Sequence, residues 1–95
     1  MITRIVKMTF APEYVDDFLN KYNERKRLIA AFEGCKGVTL LRDVDNPCIF
    51  FTYSKWDTVE YLDAYRSSDL FVETWNFVKV LFAGKPEAWS VKDVE

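Results

Sequence analysis

Residues 2 to 10 alternate, and both faces of the alternation carry apolar residues. Ile2, Arg4, Val6, Met8 and Phe10 fall on one face, and Thr3, Ile5, Lys7 and Thr9 on the other. Successive side chains of a strand point to opposite faces of its sheet, so apolar residues on both sides are what a sheet covered on both faces would show. A sheet that packs helices on one face and something else on the other is expected. The chain has 95 residues, enough for one domain over 1–95 that buries only about two thirds of the surface its unfolded chain exposes. A domain of that size gains from a partner.

The rest of the chain supplies cover for one face. Ala11-Pro12-Glu13 opens a helix, with proline near the first helical position and Glu13, Asp16 and Asp17 near the positive end of the macrodipole. The spacing of Val15, Phe18, Leu19, Tyr22, Ile29 and Phe32 carries that helix to about residue 32. Arg25 lies on or beside this stripe, as a rim residue with its charge in water or as a cation reaching toward an anionic ligand. Gly34 and Gly37 end the helix. A hairpin follows, with strands over 38 to 43 and 48 to 55 joined by Val44-Asp45-Asn46-Pro47. Asp57 is expected to cap a short helix over about 58 to 66, with Glu60 three residues on, and Ser68 to cap the next. That third helix is apolar around much of its circumference, from Leu70 and Phe71 through Trp75 and Val78 to Leu81 and Phe82, and Gly84-Lys85-Pro86 is expected to stop it. Residues 87 to 94 alternate around Trp89 and Val91 as a last strand.

The order β-α-β-β-α-α-β predicts an α+β, ferredoxin-like split βαβ fold, a four-stranded antiparallel sheet with its helices on one face. Nothing in the chain remains to cover Ile5, Leu41 and the outer residues of the 48 to 55 strand. A second copy would do so, and a homodimer with its sheets face to face is expected.

Composition narrows the partners. The net charge of −2 is spread along the chain with no basic run, so nucleic acid is not expected. No apolar run has membrane length. The first residues place Arg4 and Lys7 inside an alternating pattern, unlike a signal peptide, and a cytoplasmic location is expected. Cys35 and Cys48 stand near the starts of antiparallel strands, at opposite ends of their hairpin and beyond disulfide reach. The chain has no histidine, its cysteines are isolated and its carboxylates read as helix starts and turns, so no metal site is expected. There is no glycine-rich phosphate loop.

Most of the eight phenylalanines, five tyrosines and three tryptophans fall between Phe50 and Phe82. Several carry polar handles as well as ring surface. Phe18, Phe71, Trp75 and Tyr65 are spaced to wall a space between helices and sheet, with Met8 or Val6 as its floor; each is also a plausible core residue. Arg4 shares a strand face with Val6 and Met8. Buried there it needs an anionic partner or an oxyanion, whereas near the strand end it would pair with a surface carboxylate. Arg66 stands at a helix end, where it either answers the helix dipole or reaches a ligand. Tyr65 is the first choice for proton relay or substrate hydrogen bond, and would act as a base only if a cation such as Arg4 or Arg66 lowered its pKa from about 10.

Phe32-Glu33-Gly34-Cys35, Leu40-Leu41-Arg42-Asp43, and Phe51-Thr52-Tyr53-Ser54-Lys55-Trp56-Asp57 leading into Leu62-Asp63-Ala64-Tyr65 and Ser68-Asp69-Leu70-Phe71 resemble the antibiotic biosynthesis monooxygenase domain family. The resemblance covers nearly the full chain. It implies a dimeric α/β barrel of ferredoxin-like subunits, each with a pocket between sheet and helices. It also implies oxygenation of quinols, anthrones or other phenols without metal or organic cofactor, or, in one branch, haem binding and opening. Three positions depart from the family. Tyr65 stands where members often have histidine, Trp75 where the haem-degrading branch places its ligand, and Ser54 where many relatives carry glutamate. Without histidine, imidazole ligation of haem is impossible.

Two readings follow. The chain is a cofactor-independent monooxygenase of a small aromatic, quinol or polyketide-like molecule, with Tyr65 and Arg4 as catalytic candidates and Met8, Phe18, Arg66, Phe71 and Trp75 around the substrate. Alternatively, it is a non-catalytic small-molecule-binding or sensing barrel.

Overall fold

A computed structural model describes residues 1–95. Strand β1 is Ile2–Thr9, and a single 3-10 turn at Pro12–Tyr14 leads into helix α1, Val15–Ala30. The hairpin is β2, Cys35–Arg42, with β3, Ile49–Trp56. Helices α2, Val59–Arg66, and α3, Asp69–Lys79, precede β4, Glu87–Val91. All pairings are antiparallel in the order β2-β3-β1-β4. The α+β, ferredoxin-like subunit expected from the element order is the observed one.

Register decides which residues share a face. Arg4 lies opposite Ser54 on one side and Ser90 on the other, Val6 opposite Thr52 and Ala88, and Met8 opposite Phe50. This is the helix-covered face, and its core holds Met8, Phe10, Val15, Phe18, Phe50, Val78 and Leu81. The Phe10 and Phe18 rings stack with centroids 4.2 Å apart. Each such fully buried side chain contributes about 1.5–3 kcal/mol by leaving water. The opposite face carries Ile5, Phe51, Tyr53, Leu41, Trp89 and Val91, and no helix of the chain packs over it. Leu41, Trp89 and Val91 are 48%, 42% and 45% exposed there.

Several local expectations are corrected. Thr58, and not Asp57, caps α2: its side chain accepts from the Tyr61 backbone N–H at 3.3 Å. The Asp57 N–H is already bonded to the Gly34 carbonyl at 2.9 Å, and its carboxylate faces Lys36 Nζ at 3.5 Å, so the helix begins one residue later. Glu60 therefore falls one position short of a capping box. Ser68 caps α3 as expected, accepting from Phe71 N–H at 3.2 Å. Helix α3 ends at Lys79, well before the glycine and proline. Leu81 and Phe82 reach the core along a different path: residues 81 to 83 run beside the end of β1, with Ala11 N–H to Leu81 carbonyl at 3.1 Å and Ala83 N–H to Thr9 carbonyl at 2.8 Å. The last strand stops at Val91, where pairing with Thr3 ends.

The two cysteines are free, at opposite ends of the β2–β3 hairpin. Gly34, with φ of +83°, turns the chain from α1 into β2, and the Tyr61 ring lies against the position a Cβ would occupy. Only glycine suits both demands. The turn after β2 is built by Asp43, whose Oδ2 accepts from the N–H groups of Asp45 at 3.1 Å and Asn46 at 2.8 Å. No helix is long and apolar enough to cross a membrane.

Candidate functional site

A cavity of about 320 Å³ lies between the covered sheet face and the helices, at the small end of the roughly 300–1,000 Å³ common for small-molecule pockets. Strand alternation sets its floor, with Arg4, Val6 and Met8 from β1, Val38 from β2, Thr52 and Ser54 from β3 and Ala88 from β4. Helix α1 adds Phe18, Tyr22, Arg25 and Ile29, α2 adds Leu62, Tyr65 and Arg66, and α3 adds Phe71, Thr74, Trp75 and Val78. All seven residues singled out in the sequence, Arg4, Met8, Phe18, Tyr65, Arg66, Phe71 and Trp75, line this one space.

Its aromatic wall is a continuous series of ring contacts. Tyr65 stacks on Trp56 at 4.9 Å and meets Phe71 edge-on at 5.3 Å; Phe71 stacks on Trp75 at 5.9 Å, and Trp75 meets Phe82 at 5.6 Å. Such contacts hold each ring in place beyond what its buried area contributes. Trp56 is wholly buried behind the wall, its indole N–H donating to Ser54 Oγ at 3.0 Å. Ser54 is thereby committed to orienting Trp56.

Burial pushes the Tyr65 hydroxyl pKa well above its ordinary value, with the neighbouring Cys35 and Tyr22 acting in the same direction. The lowering by Arg4 or Arg66 that a base would need does not prevail, because the ring sits in a low-dielectric wall that disfavours a phenolate. At neutral pH Tyr65 is a hydrogen-bond donor. Arg4 donates from Nη1 to Ser90 Oγ at 3.0 Å. Burial lowers its pKa, the positive charge of Arg66 lowers it further, and Asp63 acts in the opposite sense. Neither Arg4 nor Arg66 has a carboxylate within 4.0 Å, so the surface pairing considered for Arg4 is not what holds it. Arg25 lies across from Glu24 at 3.5 Å and Glu73 at 4.0 Å, but its buried Nε lacks a hydrogen-bonding partner, as does the buried Thr74 Oγ1.

Sequence reasoning missed Tyr22, Thr74 and Glu87 in the lining. Tyr22 had a signal in its place on the α1 stripe. Glu87 had none, because it arrives through pairing of two strands at opposite ends of the chain, and its pairing with Lys7 gives its side chain the parity of the open face. The side chains present do not suit haem. There is no imidazole, neither cysteine lines the cavity, and burial favours the protonated Tyr65 over the phenolate that would ligate iron. No cluster of three or more His, Cys, Asp or Glu side chains could hold a metal ion.

The profile of the family described as antibiotic biosynthesis monooxygenase matches residues 1–75. The chain belongs to the antibiotic biosynthesis monooxygenase family. Solved structures of similar fold agree across the whole molecule. A crystal structure of an antibiotic biosynthesis monooxygenase superposes with a TM-score of 0.93 over 100% of both chains at 19% identity, which establishes shared fold alone. A Bordetella bronchiseptica protein provisionally named antibiotic biosynthesis monooxygenase reaches 26% identity and a TM-score of 0.86, over 99% of this chain and 97% of its own. A Haloarcula marismortui protein with the provisional name of heme-binding protein is 31% identical over 78 residues. That match takes in 82% of this family member but only 12% of the longer halophile protein.

Proposed function

We propose that this family member is a cofactor-independent monooxygenase acting on a small aromatic, quinol or polyketide-like molecule, working in the cytoplasm as a homodimer joined through the open sheet faces. The observation that carries the activity is the meeting, in one aromatic-walled cavity, of a protonated Tyr65 hydroxyl with two arginines that lack carboxylate partners.

In such a reaction the substrate is its own reductant. An activated CH₂ group beside an aromatic carbonyl, R₂CH₂, reacts with O₂ to give R₂C=O and H₂O. A first proton leaves to water at the cavity mouth, and the positive field of Arg4 and Arg66 favours the anion that remains. That anion passes an electron to O₂, and the radical pair recombines to form a C–O bond. The first proton returns to the terminal oxygen of the resulting peroxide; loss of the second proton from the same carbon then breaks the O–O bond and expels hydroxide, which that second proton converts to water. The Tyr65 O–H stabilises the substrate oxygen as charge develops on it, a contribution that grows in a dry cavity. No residue of the lining acts as a strong base. Oxygen uptake over a panel of anthrones and quinols, with chelator present, tests this reading; one O₂ consumed per product is expected.

A second reading, a non-catalytic binding or sensing barrel, is favoured by the lack of an imidazole in the lining and by the burial that keeps Tyr65 protonated. Tight binding across the panel without oxygen uptake would select it. The homodimer rests on the exposed Leu41, Trp89 and Val91 of the uncovered face, and the two free cysteines accord with a reducing compartment.

A further inference from the structure

We propose that Arg4 and Arg66 form an anion-binding end of the cavity, so that the preferred ligand is an aromatic molecule carrying a carboxylate or an equally acidic ionised hydroxyl. This deepens the proposed function of the same site and rests on that reading for the ligand's aromatic part.

Three arginines line the cavity, and the one acidic residue of the lining, Glu87, pairs with Lys7 and so has the strand parity of the open face, in a chain whose net charge is −2. Arg25 is answered by Glu24 and Glu73 along the helices. Arg4 and Arg66 are not answered at ion-pair distance; Asp63 acts on Arg4 only from farther away. Both groups line the same cavity, so their like charges repel, and the partial burial of Arg4 makes that repulsion harder to screen. An anion between them would relieve it.

Geometry agrees with that use. The bond from Arg4 Nη1 to Ser90 Oγ anchors the side chain across the β1–β4 pair and leaves its remaining donors for a second acceptor. Arg66 ends α2 one residue after Tyr65, so a group held by the arginines lies beside the Tyr65, Phe71 and Trp75 rings. A guanidinium fork matches the two oxygens of a carboxylate.

The test compares 2-naphthoate with 2-naphthamide, alike in shape but not in charge, by calorimetric titration of the full chain under argon. Wild-type protein is expected to bind the carboxylate at least about tenfold more tightly, and the preference to shrink as salt rises. Arg4→Gln and Arg66→Gln are each expected to weaken carboxylate binding by about tenfold to a hundredfold while leaving amide binding within about twofold. Arg27→Gln, an exposed change on α1 away from the cavity, should alter neither. Equal affinity for the two probes, no binding of either, a salt-independent preference, or a preference that survives both arginine changes would overturn the proposal. Because oxygen is excluded, these results are independent of turnover: an anion preference without oxygen uptake on any substrate would remove the monooxygenase reading and leave the anion site standing.

Discussion

The Tyr65 ring lies stacked on Trp56, with centroids 4.9 Å apart and planes 27° from parallel. Trp56 is in turn held by its indole bond to Ser54. A residue at the end of β3 thus sets the position of a hydroxyl on α2, and the cavity acquires a donor that does not have to be ordered when a ligand arrives. This arrangement separates the chemistry of Tyr65 from its packing, so the two can be tested apart.

Tyr65→Phe keeps the stacked ring and removes only the donor. Turnover at saturating substrate should fall by about 10²-fold, the usual cost of losing one oxyanion donor, while the urea midpoint stays close to wild type. Oxygen uptake and urea denaturation read the two effects; full turnover in the variant would take Tyr65 out of the mechanism.

The same pair predicts an alkaline weakness. Burial raises the Tyr65 pKa in the folded state above the ordinary tyrosine value of about 10. The folded protein therefore holds this proton more tightly than the unfolded chain. Its contribution is fully present below pH of about 10 and is lost as pH climbs toward the folded value, by up to about 1.4 kcal/mol per pH unit. Burial raises Tyr22 in the same direction. Thermal denaturation at pH 9 and pH 11 should show a larger drop for wild type than for Tyr65→Phe. Equal drops would mean that Tyr65 is not buried in this way.

Ser54→Ala should destabilise the fold by about 1–3 kcal/mol, because the wholly buried Trp56 N–H loses its acceptor. Urea denaturation measures it. A loss below about 0.5 kcal/mol would show that the indole bond contributes little net stability.

At Gly34 two penalties coincide, the positive φ and the Tyr61 ring. Gly34→Ala should cost about 2 kcal/mol or more. Adding Tyr61→Ala opens the space but not the backbone conformation, so in a double-mutant cycle the second change should recover part of the loss and never all of it.

Leu41→Lys with Trp89→Lys places charge on the uncovered sheet face. Sedimentation should show a dimer for wild type and a monomer for the double variant, with the subunit's circular dichroism unchanged. A wild-type monomer at micromolar concentration would dispose of the face-to-face assembly.

Local pattern alone determined the element order, the α+β fold, the Ser68 cap and the two faces of β1, since alternation and helical spacing follow from backbone geometry within a few residues. Because Arg4 and Met8 share a strand parity, and Phe71 and Trp75 are four residues apart on α3, their common place around one space was legible in local spacing. Tertiary structure decided the rest. Thr58 took the cap from Asp57 because Asp57 was already bonded to Gly34, and Leu81 and Phe82 entered the core through pairing with β1. Glu87 joined the lining because β4 pairs with β1 across nearly the whole chain. The protonation of Tyr65 was likewise settled by burial against Trp56 and Phe71, a balance of desolvation over charge that no sequence spacing encodes.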